Sequence, residues 1–344
     1  MSQLFNALKK RVQGDLMFDS FSRGRYATDA SLYQMMPLGV LSPKSEDDIR
    51  AALDVAGEQG LPILARGGGT SQCGQTVNEA LVLDNTQYFN EILELDVEGQ
   101  RCIVRPGIVL DELNRTLKPH GLWFPVDVST ASRATIGGMT GNNSCGGKSL
   151  RYGMMRDNVL SIEGFLADGS KHYFGPITPK SDPTLAALRD DMLRLGARES
   201  AEIDKRFPKV MRRVGGYNID ALVPSYHPNN LAHLLVGSEG TLAYSTAIEL
   251  KLWPLVMQKV LGICHFPTFH QAMDAAQHLV TLKPQGIELV DSTMISLARD
   301  IPMFRATIEE FVTGKPEALL LVEFAEDDAQ LHAQKLKQLE EMMG

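Results

Sequence analysis

A glycine triplet that directly follows an apolar segment is the feature that most constrains how this chain folds. Residues 62–65 have the pattern of a short strand, and they continue without a break into Arg66-Gly67-Gly68-Gly69-Thr70-Ser71. Three successive glycines allow backbone conformations that side chains forbid, so several N–H groups can converge on one ligand. Such a nest of amides is typical of an anion site, above all for phosphate. A flexible surface turn is the alternative interpretation.

The common nucleotide-binding motifs do not fit this loop. A Walker loop needs a lysine after its last glycine, but Gln75 follows Gly74 at that position. A second near match, Gly147-Lys148-Ser149, lacks the first glycine of the motif because Asn142 stands there. A Rossmann fingerprint fails at Gln72, where the last glycine belongs. The predicted phosphate cradle therefore belongs to another class of site.

Hydrolytic and metal-dependent chemistry find no support in the sequence. Ser144 and Ser238 each lack the first glycine of the GxSxG motif, and the histidines form no HExxH pattern. The four cysteines lie far apart and form no CxxC pair. We therefore expect no metal site and a reduced chain without a disulfide framework.

Composition and length limit the class of protein and the kinds of binding partner. Its 344 residues include 42 acidic and 34 basic side chains, a net charge of −8, which argues against nucleic acid or an anionic membrane as the main partner. At 44% hydrophobic residues the chain can bury a normal core, and its length suits two or three domains. No apolar stretch approaches the roughly 18–20 residues that span a bilayer. These features predict a soluble, cytoplasmic protein without a transmembrane segment.

Start and stop signals divide the chain into elements. Residues 1–35 are expected to form an amphipathic helix and a polar connector. Ser45 and Gly60 predict a helix over residues 46–59, and Gly121 is expected to end a helix that begins near Val109. Asp168-Gly169 predicts a two-residue hairpin turn between strands. Residues 231–237 are read as a strand.

A change of pattern near residue 256 predicts a domain boundary. Beyond it, strands at 260–266, 287–291 and 318–324 alternate with helices, the last of which runs to Met343. Because that helix is followed by no cap, we expect that the chain stops inside its second domain. The domains are then residues 1–35 (helix and connector), 36–256 and 257–344.

Motifs along the chain occur in the order seen in one flavoprotein family. They are Arg66–Ser71 with Gly74, Val104–Gly107, Phe124–Asp127, Ala134–Gly138, Cys145–Gly147, Arg151–Gly153, Asp168-Gly169 and Gly237–Leu242. This series resembles the FAD-linked oxidases of the vanillyl-alcohol oxidase superfamily, over about residues 20–325. Tyr26–Tyr33 and Gly216–Asp220 are similar to the branch of D-lactate, glycolate and D-2-hydroxyglutarate dehydrogenases, in particular to long members with a C-terminal iron–sulfur module.

The resemblance implies a fold and a set of cofactor-binding residues. The fold is α+β, with a two-subdomain PCMH-type FAD-binding domain followed by a partial ferredoxin-like α/β cap that holds the substrate. The glycine loop would hold the FAD pyrophosphate, Thr135 and Gly138 would add donors, and Gly240 and Thr241 would close the site. The stretch Ser144–Gly147 would run along the isoalloxazine ring. The implied cofactor-binding residues are Arg66, Gly67, Gly68, Gly69, Thr70, Ser71, Thr135, Gly138, Ser144, Cys145, Gly146, Gly147, Gly240 and Thr241.

The family activity implied is hydride transfer from a small 2-hydroxy acid, D-lactate or D-2-hydroxyglutarate, to FAD, with an electron acceptor that the sequence does not identify. The base and the substrate cation are expected beyond residue 344, so no catalytic residue is assigned; Arg151 and Arg156 are weak electrostatic candidates. An iron–sulfur cluster is expected only if the gene continues past that residue. The alternatives are an FAD-binding fragment without turnover and a same-fold oxidase acting on another alcohol.

The residue after the glycines predicts how the cofactor is attached. Some relatives tether FAD through a histidine there, whereas this chain has Thr70, which cannot form that bond. We expect acid precipitation of the flavin-loaded protein to leave the yellow cofactor in the supernatant. Flavin retained in the washed pellet would contradict this prediction.

Overall fold

The fold is that of a computed structural model, which describes residues 2–178, 182–226 and 229–343. Met1 and Gly344, the ends of the predicted domains, lie outside the described residues. The helices are α1 (Ser2–Lys9), α2 (Ser20–Gly24), α3 (Glu46–Gln59), α4 (Leu110–Leu117), α5 (Ile136–Asn142), α6 (Ser149–Tyr152), α7 (Met155–Asn158), α8 (Ala186–Arg206), α9 (Ala232–Leu235), α10 (Phe269–Leu279), α11 (Ser292–Asp300), α12 (Pro302–Phe311) and α13 (Ala329–Met343).

Within these described ranges, the strands lie in four sheets. They are β1 (Asp15–Met17), β2 (Gly39–Ser42), β3 (Ile63–Arg66), β4 (Leu81–Asp84), β5 (Ile92–Asp96), β6 (Arg101–Val104), β7 (Leu122–Trp123), β8 (Val159–Phe165), β9 (Lys171–Phe174), β10 (Tyr244–Lys251), β11 (Trp253–Pro254), β12 (Lys259–Phe266), β13 (Gly286–Asp291) and β14 (Ala318–Ala325). Helices combined with largely antiparallel sheets confirm the predicted α+β class.

The chain divides into two compact units. The first comprises Met1–Phe124, Val128–Ser144 and Met154–Pro254, and the second comprises Pro125–Asp127, Cys145–Gly153 and Leu255–Gly344. The second unit therefore includes two short segments from the middle of the sequence.

The first sheet of the first unit places the glycine loop. Its strand order is β1-β2-β4-β3, with β4 parallel to both β2 and β3 and with β1 antiparallel to β2. Parallel strands need a crossover, and α3 supplies it between β2 and β3. Ile49, Ala52 and Val55 of α3 pack into one buried cluster with Leu81 and Leu83 of β4. The loop that follows β3 thus leaves the carboxyl end of a strand that is fixed by a packed core.

The predicted helix signals are confirmed at atomic level. The Ser45 hydroxyl accepts a hydrogen bond from the Asp48 N–H at 3.2 Å, and Gly60 ends α3 with φ +63°. The predicted helix from Val109 is α4 followed by a 3₁₀ turn, Lys118–His120, and Gly121 stops it with φ +68°. In both cases a left-handed residue ends the helix, a conformation that glycine adopts without strain.

The second sheet of the first unit is antiparallel throughout, in the order β5-β6-β10-β8-β9. A hairpin turn joins β8 and β9 as predicted, but the predicted length of two residues is wrong. The Leu166 N–H donates to the Ser170 carbonyl at 2.9 Å, so three residues form the turn, and Gly169 takes the left-handed position with φ +79°. An Asp-Gly pair fits this longer turn as well as the shorter one.

The strand predicted at 231–237 is also wrong. Residues Ala232–Leu235 form a helical turn, α9, in which Ala232 and Leu235 are buried. A short apolar run does not distinguish a buried strand from a buried helical turn, since its periodicity carries no information at that length.

The second unit contains a three-stranded antiparallel sheet in the order β12-β14-β13. Since β12 and β13 both run against β14, the segment β12–α10–β13 is a split βαβ unit of the ferredoxin-like kind. The core of this unit is a buried cluster that contains Phe324 of β14, Ala272 and Leu279 of α10, and Leu339 of α13. The predicted alternation of strands and helices is confirmed, while α12 was not predicted.

The N-cap of α3 gives a stability prediction for the first unit. Ser45→Ala removes the acceptor for the Asp48 N–H, which should cost about 1 kcal/mol. We expect a lower urea midpoint than in Ser129→Ala, a change at an exposed loop position. Equal midpoints in the two variants would contradict the assigned cap.

Candidate functional site

The first two loop glycines are required by close packing against a second segment of the chain. A Cβ atom on Gly67 would overlap the Thr135 hydroxyl, and one on Gly68 would overlap the backbone oxygen of Arg133. Because backbone and a buried side chain stand in the way, neither position accepts a larger residue without a shift of the loop. The structure therefore brings the glycine loop and the segment before α5 into direct contact, although more than sixty residues separate them in the sequence.

The third glycine is fixed by its backbone conformation. Gly69 has φ +64°, and a Cβ there would lie 2.7 Å from the Arg66 guanidinium. Arg66 is only 8% exposed, and its guanidinium donates three hydrogen bonds to backbone carbonyls. Burial lowers the pKa of Arg66, and the carboxylates of Asp29 and Asp84 oppose that shift. The side chain thus lies inside the protein beneath the loop.

Consecutive backbone donors remain available in this loop. Among the described residues, the N–H groups of Gly67, Gly68, Gly69, Thr70 and Ser71 donate no hydrogen bond to another protein atom. Gly68 is exposed and its neighbours are half-buried, so solvent or a ligand reaches them. Backbone donors that are withheld from the protein's own acceptors and share one loop suit an anion.

Helix α5 supplies the second predicted segment. Thr135 is buried and caps the helix, since its hydroxyl accepts a hydrogen bond from the Gly138 N–H at 3.3 Å. Gly137 lies against Pro106, where a Cβ would come within 2.5 Å of the proline ring. The predicted residues Thr135 and Gly138 therefore lie together, with Thr135 between the helix and the glycine loop.

The third predicted segment, around Gly240 and Thr241, is hydrogen-bonded to the C-terminal end of α5. The N–H groups of Gly237 and Glu239 donate to the carbonyls of Thr140 and Gly141, each at 2.9 Å. Gly240 has φ +73°, and a Cβ on it would approach Ala65 of β3 to 3.9 Å. The structure therefore brings residues 66–71, 135–138 and 240–241 together within the first unit.

Four polar side chains near these segments were not predicted as site residues: Glu239, Asn142, Gln75 and Tyr217. Glu239 accepts a hydrogen bond from the Asn142 amide at 3.1 Å, and burial raises the pKa of its carboxyl group, while the hydrogen bonds from Asn142 and Gln75 oppose that shift. The hydroxyl groups of Tyr217 and Thr241 lie 2.7 Å apart. Gln75 and Asn142 were noted only as departures from phosphate-loop motifs. Their spacing along the chain gives no signal of these contacts.

Ser144 and Arg156 lie in a polar region of the first unit. The Ser144 N–H donates to the Met139 carbonyl at 3.0 Å, and its hydroxyl donates to the Asn142 amide oxygen at 3.1 Å. Arg156 is paired with Asp220 at 3.0 Å and donates to Asn218. Because Arg156 donates to Asp220 and Asn218 inside the protein, it contributes to local packing, and the electrostatic role considered for it gains no support.

The remaining predicted residues belong to the second unit. A Cβ on Gly146 would overlap the backbone oxygen of Asp127, and one on Gly147 would overlap the carboxylate of Glu288 on β13. Cys145 is half-buried with a free thiol. Arg151 donates to the Ala325 carbonyl at 2.8 Å and lies 3.5 Å from Glu326. The glycines of this segment are therefore required by close packing on Asp127 and on the sheet.

Within residues 2–178, 182–226 and 229–343, no three His, Cys, Asp or Glu side chains are grouped as metal ligands would be. None of the helices in these ranges has the length and apolarity needed to cross a membrane.

Two family models match the chain. The model of the FAD binding domain matches residues 37–174, and the model of the C-terminal domain of FAD linked oxidases matches residues 257–344. The glycine loop and α5 both fall within the first match, and the sheet of the second unit falls within the second.

Known proteins are similar over most of the chain. A D-2-hydroxyglutarate dehydrogenase of Pseudomonas putida is 34% identical over 334 residues, which cover 92% of this chain and 33% of that protein. A D-lactate dehydrogenase of Archaeoglobus fulgidus is 30% identical over 302 residues, covering 87% of this chain and 56% of that protein. The chain thus spans about a third of the length of the D-2-hydroxyglutarate dehydrogenases that it matches.

A solved structure has the same fold. An alkyldihydroxyacetonephosphate synthase superposes with a TM-score of 0.72 at 18% identity, over 100% of this chain and 60% of that one. The N-terminal part of the chain thus matches the FAD binding domain and its C-terminal part matches the C-terminal domain of FAD linked oxidases, and the proteins that it is similar to include D-2-hydroxyglutarate, D-lactate and glycolate enzymes.

Proposed function

We propose that the chain binds FAD non-covalently and serves a dehydrogenase that oxidises a D-2-hydroxy acid to the 2-oxo acid. The observation that carries the proposal is the run Gly67–Ser71, whose amides donate to no acceptor among the described residues and which lies in the part of the chain that matches the FAD-binding model. A pyrophosphate presents several oxygens with negative charge, and successive N–H donors satisfy them without a lysine. Such a loop also avoids the cost of burying a second charged side chain.

The proposal assigns roles to the segments that meet in the first unit. Gly67–Ser71 holds the pyrophosphate, Thr135 fixes the shape of the loop from below, and Gly138 offers a backbone surface without a side chain. Gly240 and Thr241 border the same region from the loop after α9. We further propose that residues 36–256 form the FAD-binding domain and 257–344 the substrate domain. That Ser144, Cys145, Gly146 and Gly147 run along the isoalloxazine ring stays a prediction.

The chemistry proposed divides between cofactor and protein. Bound FAD supplies the acceptor for a hydride from the substrate Cα. The chain's own residues hold the cofactor's anionic part, keep the loop in one conformation and thereby fix the position of the attached ring. The relatives named for D-2-hydroxyglutarate and D-lactate favour 2-hydroxy acids over the phenols and sugars oxidised by other members of the superfamily. The electron acceptor is left unassigned.

A pair of substitutions at one position tests the cradle. Thr70→Asp adds a negative charge beside the proposed pyrophosphate. Thr70→Asn introduces a side chain of nearly the same shape as Asp but without the charge. Like charges a few ångströms apart repel by about 4 kcal/mol near a protein surface, and solvent screening reduces this. We expect FAD affinity, measured by flavin fluorescence titration, to fall at least about tenfold further in the Asp variant.

Thermal unfolding of both variants without FAD serves as the control for folding. Equal FAD affinities for Thr70→Asp and Thr70→Asn would show that the anionic part of the cofactor binds elsewhere, and the proposed function of this loop would then be wrong.

The proposed reaction has its own test. Anaerobic mixing with D-2-hydroxyglutarate or D-lactate should bleach the visible absorbance of the bound flavin, and the L enantiomers should not. The measurement is made on the flavin-loaded chain, and slow bleaching is expected because the chain spans about a third of the length of the D-2-hydroxyglutarate dehydrogenases that it matches. Faster bleaching by an L enantiomer, or none by any 2-hydroxy acid, would refute the assignment.

A further inference from the structure

A segment near the N-terminus lies against the glycine loop and is bound to it at several points. Residues 26–34, here called the strap, follow α2. The Ala30 N–H donates to the Gly69 carbonyl at 3.1 Å, and the Thr76 hydroxyl donates to the Asp29 carboxylate at 2.9 Å. A Cβ atom on Gly74 would lie only 2.7 Å from the nearest carbon of the Tyr33 ring, so the ring packs directly against this glycine. The strap therefore contacts both the glycine turn and the residues that follow it.

Arg66 joins the strap to the loop from inside the protein. One terminal nitrogen donates to the carbonyls of Tyr26 at 3.1 Å and Thr76 at 2.8 Å, and the other donates to the carbonyl of Thr28 at 2.7 Å. A planar guanidinium presents several donors in a fixed fork, so one side chain fixes carbonyls from separate segments at once. The two segments joined by Arg66 are thus the strap and the residues that follow the glycine loop.

Further contacts keep this buried cation in place. The Arg66 guanidinium lies 5.4 Å from the centre of the Tyr26 ring, and the Tyr26 hydroxyl donates to the Asp84 carboxylate at 2.7 Å. A buried charge is tolerated only when its donors are satisfied and opposite charges are near. Here the carbonyls satisfy the donors, and the carboxylates of Asp29 and Asp84 supply the charge.

The glycine loop is therefore bounded on two sides. The segment Arg133–Thr135 packs against Gly67 and Gly68, while Arg66 and the strap hold Gly69 and the residues after it. Because the amides of Gly67–Ser71 donate no hydrogen bond to another described residue, the conformation of the loop depends largely on these neighbours. Binding is tighter when a site is ordered in advance, because less conformational entropy is lost on binding.

We propose that Arg66 and the strap are positioning elements that hold Gly67–Ser71 in the conformation that accepts the cofactor, and that Arg66 acts without contacting the cofactor. This inference rests on the proposed function of the loop. It assigns a cofactor-binding role to residues 26–34, which lie outside the part of the chain that matches the FAD-binding model.

The substitution Arg66→Lys tests the proposal. Lysine keeps the charge but has one compact ammonium group, which does not span three carbonyls. The readouts are deuterium uptake of residues 26–36 in the protein without FAD and FAD affinity by fluorescence titration. We expect strap exchange to become at least about tenfold faster and FAD affinity to fall by at least about tenfold, since strap and loop are released together.

Arg101→Lys is the matched control. Arg101 on β6 also has two partners, Asp96 at 2.9 Å and Glu249 at 3.1 Å, but it is half-exposed and lies in the second sheet. Its replacement should leave both readouts unchanged.

Thr76→Val provides a second variant, which is used if Arg66→Lys does not fold. It leaves Arg66 in place and removes the hydrogen bond to Asp29, and we expect the same two changes, each severalfold.

Strap exchange that rises while FAD affinity stays at the wild-type value would overturn the proposal, and so would unchanged strap exchange in both variants. The proposed function is tested separately by the Thr70 pair. If Thr70→Asp weakens FAD binding more than Thr70→Asn, but Arg66→Lys binds FAD as the wild type does, the loop is a cofactor site and the strap is not its positioning element.

Discussion

The close approach of two backbone segments is the constraint on which the site depends. Gly67 and Gly68 lie so near Thr135 and the Arg133 carbonyl that only glycine fits, and this contact joins the end of β3 to the start of α5. The same helix holds residues 237–241 at its other end through the Thr140 and Gly141 carbonyls. Three segments that are distant in sequence therefore meet because one loop carries no side chains. Among the described residues, the amides of Gly67–Ser71 donate to no protein acceptor, and the loop is held by packing of its glycine backbone and by the hydrogen bond that the Gly69 carbonyl accepts from Ala30.

Much of the local structure could be predicted because its signals are local. Ser45, Gly60 and Gly121 act on their own helices, so the bounds of α3 and the end of α4 followed from the sequence. The short apolar run at 231–237 lacked such signals and was assigned to the wrong type of element. The turn at Asp168-Gly169 was placed correctly and given the wrong length, because the same dipeptide suits turns of two and three residues.

The sequence predicted which positions form the candidate site, but it did not predict the contacts between them. Glycine spacing pointed to the loop, and the resemblance to a family added Thr135, Gly138, Gly240 and Thr241. The partners of Arg66 could not be predicted, because a guanidinium after a strand suits an anion as well as it suits buried carbonyls. Only the fold shows that Tyr26, Thr28 and Thr76 surround it. The motif at residues 26–33 was informative for the family, but its position beside the loop depends on pairing across some forty residues.

The central claim is that the amides of the glycine loop bind the phosphates of FAD. Its most direct test is the ¹H–¹⁵N spectrum of the isotope-labelled protein, with the signals of Gly67, Gly68 and Gly69 identified by sequential backbone assignment. Addition of FAD should move these amide protons downfield, as hydrogen bonds to phosphate form, and riboflavin, which has no phosphate, should leave them in place. Unmoved signals with FAD, or equal movement with riboflavin, would contradict the account.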